Sequence, residues 1–67
     1  MKGHIKFVQR EKGYGFLIDR ETGAQHFFHA TQCVTAFENL LEGEAVAYEL
    51  GTDTRTGRER AVDVQRG

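Results

Sequence analysis

The sequence predicts a small all-β domain of five short antiparallel strands. Three observations carry this reading. Apolar and polar residues alternate over short runs, as in strands with one buried face. The runs are separated by glycine-bearing turns, two of which share the pattern D-x-x-T-G. No pair of long amphipathic helical segments interrupts them.

The first strand is expected from about His4 to Arg10 and the second from about Gly15 to Asp19. Asp19-Arg20-Glu21-Thr22-Gly23 then forms a turn, its aspartate accepting backbone amides just ahead and its glycine taking a positive φ. The third strand covers Gln25 to His29. A long connection follows, in which Thr35-x-x-Glu38 has the form of a capping box and Gly43 of a helix stop. Local signals therefore predict a short helix from about Ala36 to Glu42. The fourth strand, Ala45 to Leu50, alternates cleanly with Val46, Tyr48 and Leu50 inward. Asp53-Thr54-Arg55-Thr56-Gly57 repeats the first turn pattern and leads into a fifth strand from about Glu59 to Gln65, with Val62 and Val64 inward.

The chain has 67 residues, expected to form one domain over 1–67. A domain this small buries only about 60% of its unfolded surface, which leaves no room for an enzyme cleft beside a core. One cysteine, Cys33, excludes an internal disulfide and fits a reducing compartment. It reads as a small apolar plug after the third strand. No apolar run approaches the ~20 residues of a membrane helix. Met1-Lys2-Gly3-His4 leads straight into a strand pattern, unlike a signal peptide, so a cytoplasmic location is expected. The net charge is −1, but its distribution is uneven. Lys2, Lys6, Arg10 and Lys12 lie early, Arg55, Arg58 and Arg60 late, and Glu38, Glu42, Glu44 and Glu49 between them. This suggests a basic side and an acidic back.

Two segments stand out: Lys12-Gly13-Tyr14-Gly15-Phe16 and His26-Phe27-Phe28-His29. Strand alternation puts Tyr14 and Phe16 on one face, and Phe27 with His29 on another strand's face. Leu17 and Phe28 take the opposite phase and can fill the core. Aromatics facing solvent on neighbouring strands form a platform on which unpaired bases stack. Gly13 and Gly15 are expected to let bases approach the backbone between the rings.

These residues resemble the cold-shock domain, a five-stranded antiparallel OB-type Greek-key barrel that binds single-stranded RNA and DNA. Gly3-His4-Ile5-Lys6-Phe7-Val8-Gln9 looks like its opening G-x-V-K-W-F-N. Lys12-Gly13-Tyr14-Gly15-Phe16-Leu17 matches its first ribonucleoprotein motif and His26-Phe27-Phe28-His29 its second. Leu40-x-Glu42-Gly43-x-x-Val46 looks like the L-x-E-G-x-x-V entry to its fourth strand. The RNA-recognition-motif fold shares the first signature, but Asp19 stands where that signature ends in an aromatic, and the two motifs come in the reverse order.

The resemblance implies a binding surface of Lys6, Phe7, Lys12, Tyr14, Phe16, Phe27, His29 and Phe37, with Arg55 and Arg58 in the loop between strands four and five. The rings and His29 would stack on bases, and the lysines and arginines would meet phosphate. It implies an RNA chaperone or a regulator of transcription or translation. The partner would be single-stranded RNA or DNA, with no catalysis, no cofactor, no membrane and no small-molecule substrate, the protein being a monomer or a dimer. A rival reading is a protein-interaction module that uses the remaining aromatics or the acidic Glu38–Glu49 segment.

Departures from the family pattern matter. Phe7 stands in place of tryptophan, and Val8 and Ala30 in place of phenylalanines. At about 1–3 kcal/mol per stacked base, two lost rings weaken binding by at most roughly 2–6 kcal/mol. Weaker binding over a shorter footprint is therefore expected. His26 and Phe28 align with inward valines, so Phe28 needs volume freed by Val8 or Ala30, and His26 reaches solvent at the barrel end. His26, His29 and Cys33 do not make a metal site, because residues three apart on a strand face opposite ways.

Overall fold

A computed structural model describes residues 1–67, apart from the side chain of Asp53. The five expected strands are present: β1 (Lys2–Gln9), β2 (Tyr14–Asp19), β3 (Gln25–His29), β4 (Ala45–Asp53) and β5 (Arg58–Arg66). All neighbours are antiparallel, in the order β3-β2-β1-β4-β5. Three strands joined in series, with a fourth returning beside the first, make a Greek key. The sheet curls until β3 lies against β5. A bridge between Cys33 and Val64 and the bond from the Val34 amide to the Val64 carbonyl, 2.7 Å, seal the seam. The architecture is the five-stranded OB-type barrel.

The core holds Ile5, Leu17, Phe28, Leu40, Val46, Tyr48, Ala61 and Val64. Leu17, Phe28, Val46 and Tyr48 are inward as the alternation required, and Leu50 packs at the core margin. β5 departs from expectation. Ala61 and Val64 are both buried although three residues apart. Asp63 has φ +52°, and three steps of β5 match two of β4 between Ala47/Gln65 and Glu49/Val62. This is a β-bulge, which shifts the side-chain phase by one residue. Val62 is consequently not a core residue: it lies over Gly51, where an added Cβ would meet its Cγ1 at 3.0 Å.

The helix expected over Ala36–Glu42 does not form. The connection contains two 3-10 turns, Ala30–Gln32 and Phe37–Asn39. Thr35 does not cap: its hydroxyl accepts the Arg66 amide, 2.9 Å, and Ala36 precedes the second turn without a side-chain bond. The carbonyls of Phe37, Glu38 and Leu40 instead accept the Arg10 guanidinium, at 3.5, 3.1 and 2.8 Å. These bonds satisfy groups that a short helix would have left open and let Leu40 reach the core. Arg66 ties down the same segment through Glu44, 2.8 Å, and the Asn39 carbonyl, 2.8 Å. Arg10 is therefore a structural strut and not part of a basic face.

The first D-x-x-T-G turn forms as expected. One Asp19 oxygen accepts the amides of Glu21, 2.8 Å, and Thr22, 2.9 Å, and Gly23 has φ +74°. In the second turn Gly57 has φ +70°; the role expected of the Asp53 side chain lies outside the described residues. Gly15 is expected to let bases approach the backbone, but its missing side chain opens the other way. Its open side faces inward, where a Cβ would come 2.8 Å from the Phe28 ring and 2.5 Å from the Phe7 carbonyl oxygen. The Phe28 ring therefore packs directly over Gly15, and the smaller Val8 also packs against the core that holds it.

Candidate nucleic-acid interface

The outer face of β1, β2 and β3 forms an ordered grid. Phe7 on β1 stands opposite Phe16 on β2, which stands opposite Phe27 on β3. One step along, Gln9, Tyr14 and His29 form a second row. Strict alternation from the buried Ile5 would send Phe7 inward. A bulge at Lys6 breaks the register between Ile5/Leu17 and Phe7/Phe16, so Phe7 emerges on the outer face, 39% exposed.

Four rings touch. Centroid separations are 6.4 Å for Phe7–Tyr14, 6.1 Å for Tyr14–Phe16, 5.6 Å for Tyr14–Phe27 and 5.8 Å for Phe16–Phe27. Tyr14 and Phe27 are near-parallel at 30°, whereas Phe16 meets both edge-on. These are favoured aromatic geometries. Edge contacts hold the rings against each other and leave faces open. Tyr14, Phe16 and Phe27 are half-buried, so each keeps accessible surface while its base is fixed by the sheet.

The other expected site residues fall around this cluster. His29 is half-buried beside Tyr14. Its Nδ1 accepts the Thr31 amide, 3.2 Å, and lies 3.0 Å from the Thr31 hydroxyl. That bond fixes the ring and leaves Nε2 to carry the proton of the neutral imidazole. Lys6 is exposed and donates to the Gln25 side-chain oxygen, 3.0 Å. Lys12 is exposed on the β1–β2 turn. Phe37 stands apart from the four-ring cluster: half-buried, it meets Phe28 edge-on at 6.2 Å. Arg55 and Arg58 are exposed on the β4–β5 hairpin. Arg58 turns toward the rings and, with Thr56, Glu59, Arg60, Phe16 and Phe27, lines a cleft of about 350 Å³. Arg55 does not line it.

The sequence reading gave Glu59 and Arg60 no place in the site. They carry no motif, and only the fold of the hairpin over β2 and β3 brings them to the rings. Val8 is corrected as well. It is half-buried against the core, so a valine here removes no ring from the outer face. His26 is half-buried, 5.7 Å from the Tyr48 ring.

Other chemistry finds little support in the geometry. Among the described residues no group of three or more His, Cys, Asp or Glu side chains could hold a metal ion. No helix among the described residues is long and apolar enough to cross a membrane. Cys33 packs against the core with its thiol directed at the His29 carbonyl, 3.7 Å. Burial pushes that thiol up from 9.0 to about 11, so it is not a nucleophile at neutral pH.

The model of the 'Cold-shock' DNA-binding domain matches residues 1–66. A cold shock-like protein of Aquifex aeolicus is 33% identical over 64 residues, covering 94% of this chain and 91% of its own. Cold shock protein CspA of Rhizobium meliloti is 32% identical over 64 residues, covering 94% and 93%. Glycine-rich protein 2 of Nicotiana sylvestris is 38% identical over 66 residues, which are 29% of its length.

Proposed function

The chain belongs to the cold-shock domain family, and on that premise we propose that the Phe7, Tyr14, Phe16 and Phe27 rings bind unpaired RNA or DNA by base stacking. Family members bind single-stranded nucleic acids and catalyse no reaction. The observation that supports the stacking mode is the contiguity of four half-exposed rings across three adjacent strands, with centroids 5.6–6.4 Å apart. Every base has a π-face, so such a surface accepts many sequences.

In this reading His29 adds a fixed, partly exposed ring beside Tyr14, and Phe37 offers a further half-exposed ring apart from the cluster. Arg58 borders the rings and, with the exposed Lys6, Lys12 and Arg55, would meet phosphate. Lys6 must exchange its bond to Gln25, an exposed contact that is cheap to lose. Because Val8 faces the core, Ala30 alone marks a ring missing from the family's surface. The shortfall is then about 1–3 kcal/mol for one base, half the sequence-based bound. Stacked strands are held open, so the domain of residues 1–67 would melt hairpins as an RNA chaperone or regulator in the cytoplasm. One copy suffices.

The test is fluorescence anisotropy of a labelled oligo-dT of about ten nucleotides at two salt concentrations. The label must sit on the nucleic acid, since the chain has no tryptophan. Saturable binding should weaken with salt at about −0.7 in log K per neutralised phosphate. No binding by the folded protein at high micromolar concentration would discard the reading and favour a protein partner.

A further inference from the structure

The cleft between the Phe16–Phe27 pair and the β4–β5 hairpin combines two chemistries. One wall is aromatic, and the other presents Arg58, Glu59 and Arg60. The Nε of Arg60 is buried and has no hydrogen-bond partner among the described residues. A donor shielded from water without an acceptor is unfavourable until something supplies one. The Glu59 carboxylate is joined to no described residue by an ion pair or hydrogen bond. A stacking surface thus adjoins both a guanidinium donor group and a carboxylate acceptor group.

We propose that this cleft reads guanine. Resting on the stacking function above, the proposal assigns its base preference. Guanine offers acceptors at O6 and N7, the atoms that arginine matches best. It offers donors at N1 and N2, and a carboxylate has two oxygens to accept them. Thymine and uracil carry a single N–H, and their carbonyls would face the Glu59 oxygens. Cytosine and adenine each leave one of the two side chains less well matched. With its base edge held by Arg60 and Glu59, the purine ring lies against Phe27 or Phe16, where stacking is strongest for large rings. Single-strand readers use base edges and stacking together in this way.

The test compares labelled oligo-dT of about seven nucleotides with the set carrying one dG, dC or dA at each position. The readout is the ratio of dissociation constants on the same protein, so general changes in phosphate attraction cancel. At one position dG should tighten binding at least about fivefold over dT. Glu59→Gln and Arg60→Ala should each bring that ratio close to one, with circular dichroism confirming the fold. Equal ratios for all bases at every position, a preference for dC or dA, or a dG ratio unchanged in both variants would overturn the guanine assignment while leaving stacking in place. Absence of binding to every oligonucleotide would overturn the stacking function itself.

Discussion

The phenol of Tyr48 on β4 donates to one carboxylate oxygen of Asp19 at the end of β2, while the other oxygen caps the amides of Glu21 and Thr22. One side chain therefore shapes a turn and fastens a strand 29 residues away. Tyr48 is 2% exposed and Asp19 5%. The bond from Tyr48, with those from Thr22 and Glu21, lowers the Asp19 carboxyl from 3.8 to about 2. Burial, together with the neighbouring carboxylate, pushes the Tyr48 phenol above the usual range, so it remains a donor at neutral pH.

This pair sets an acid limit to stability. A carboxylate whose folded pKa is depressed stabilises the fold above its unfolded pKa, and that contribution is lost as pH falls through the folded value. For Asp19 the window runs from 3.8 down to about 2. The Tm of the wild type should fall through this window, and Tyr48→Phe should show a lower Tm at pH 7 but a shallower acid decline. Thermal melts followed by circular dichroism at successive pH values check this. Parallel curves for the two proteins would show that Asp19 gains nothing from the phenol.

Phe16→Ala and Phe27→Ala should each weaken oligo-dT binding by about 1–3 kcal/mol and leave the domain folded. Leu17→Ala, one residue from Phe16 but wholly buried, should cost about 2–5 kcal/mol of stability. Anisotropy and denaturant melts on the same three variants separate the two faces of the sheet. Unfolding by either phenylalanine change would mean that the rings belong to the core.

Gly15→Ala should be among the costly single-methyl additions. The new Cβ would press on the Phe7 carbonyl, which is backbone and cannot rotate away, and on the Phe28 ring. Overpacking of this kind costs about 1–3 kcal/mol or more. Gly23→Ala meets open space and should lose only about 1 kcal/mol, from its positive φ. Urea titrations of both variants give the comparison; equal losses would refute the steric account of Gly15.

Cys33 should resist modification in the native protein. With its thiol raised to about 11 and its sulfur turned to the His29 carbonyl, alkylation by iodoacetamide at pH 8 should be far slower than for the same chain in urea. Mass spectrometry of timed samples measures the ratio. A native rate matching the unfolded one would place the sulfur at the surface.

Much of this was legible because strand alternation is a local property. Tyr14, Phe16 and Phe27 outside, with Leu17 and Phe28 inside, follow from the parity of neighbouring residues, and the D-x-x-T-G turn at Asp19 from side-chain reach. What failed depended on partners distant in sequence. The capping signal at Thr35 was genuine, but the Arg66 amide claims its hydroxyl, and Arg10 claims the carbonyls of the segment after it. Val62 was placed inward because nothing local marks Asp63 as the residue that takes a positive φ. Glu59 and Arg60 reach the rings only because the hairpin folds over β2 and β3.

The irregularity at Lys6 sets a rule for how this segment can change. Side-chain chemistry between Ile5 and Phe7 can drift, since neither Lys6 nor Phe7 is buried. Residue count matters in a different way. Lys6 is the extra residue of the bulge, so deleting it would make Ile5/Leu17 and Phe7/Phe16 consecutive pairs and keep Phe7 outside and Val8 inside. Flattening the bulge with every residue retained would instead slide the chain one step against β2, turn Phe7 toward the interior and swing Val8 out to water. The surface ring is specified by the bulge, much as a codon is specified by its frame. Substitutions that keep the bulge would tune affinity, whereas those that flatten it would exchange the inside of the barrel for its outside at this strand.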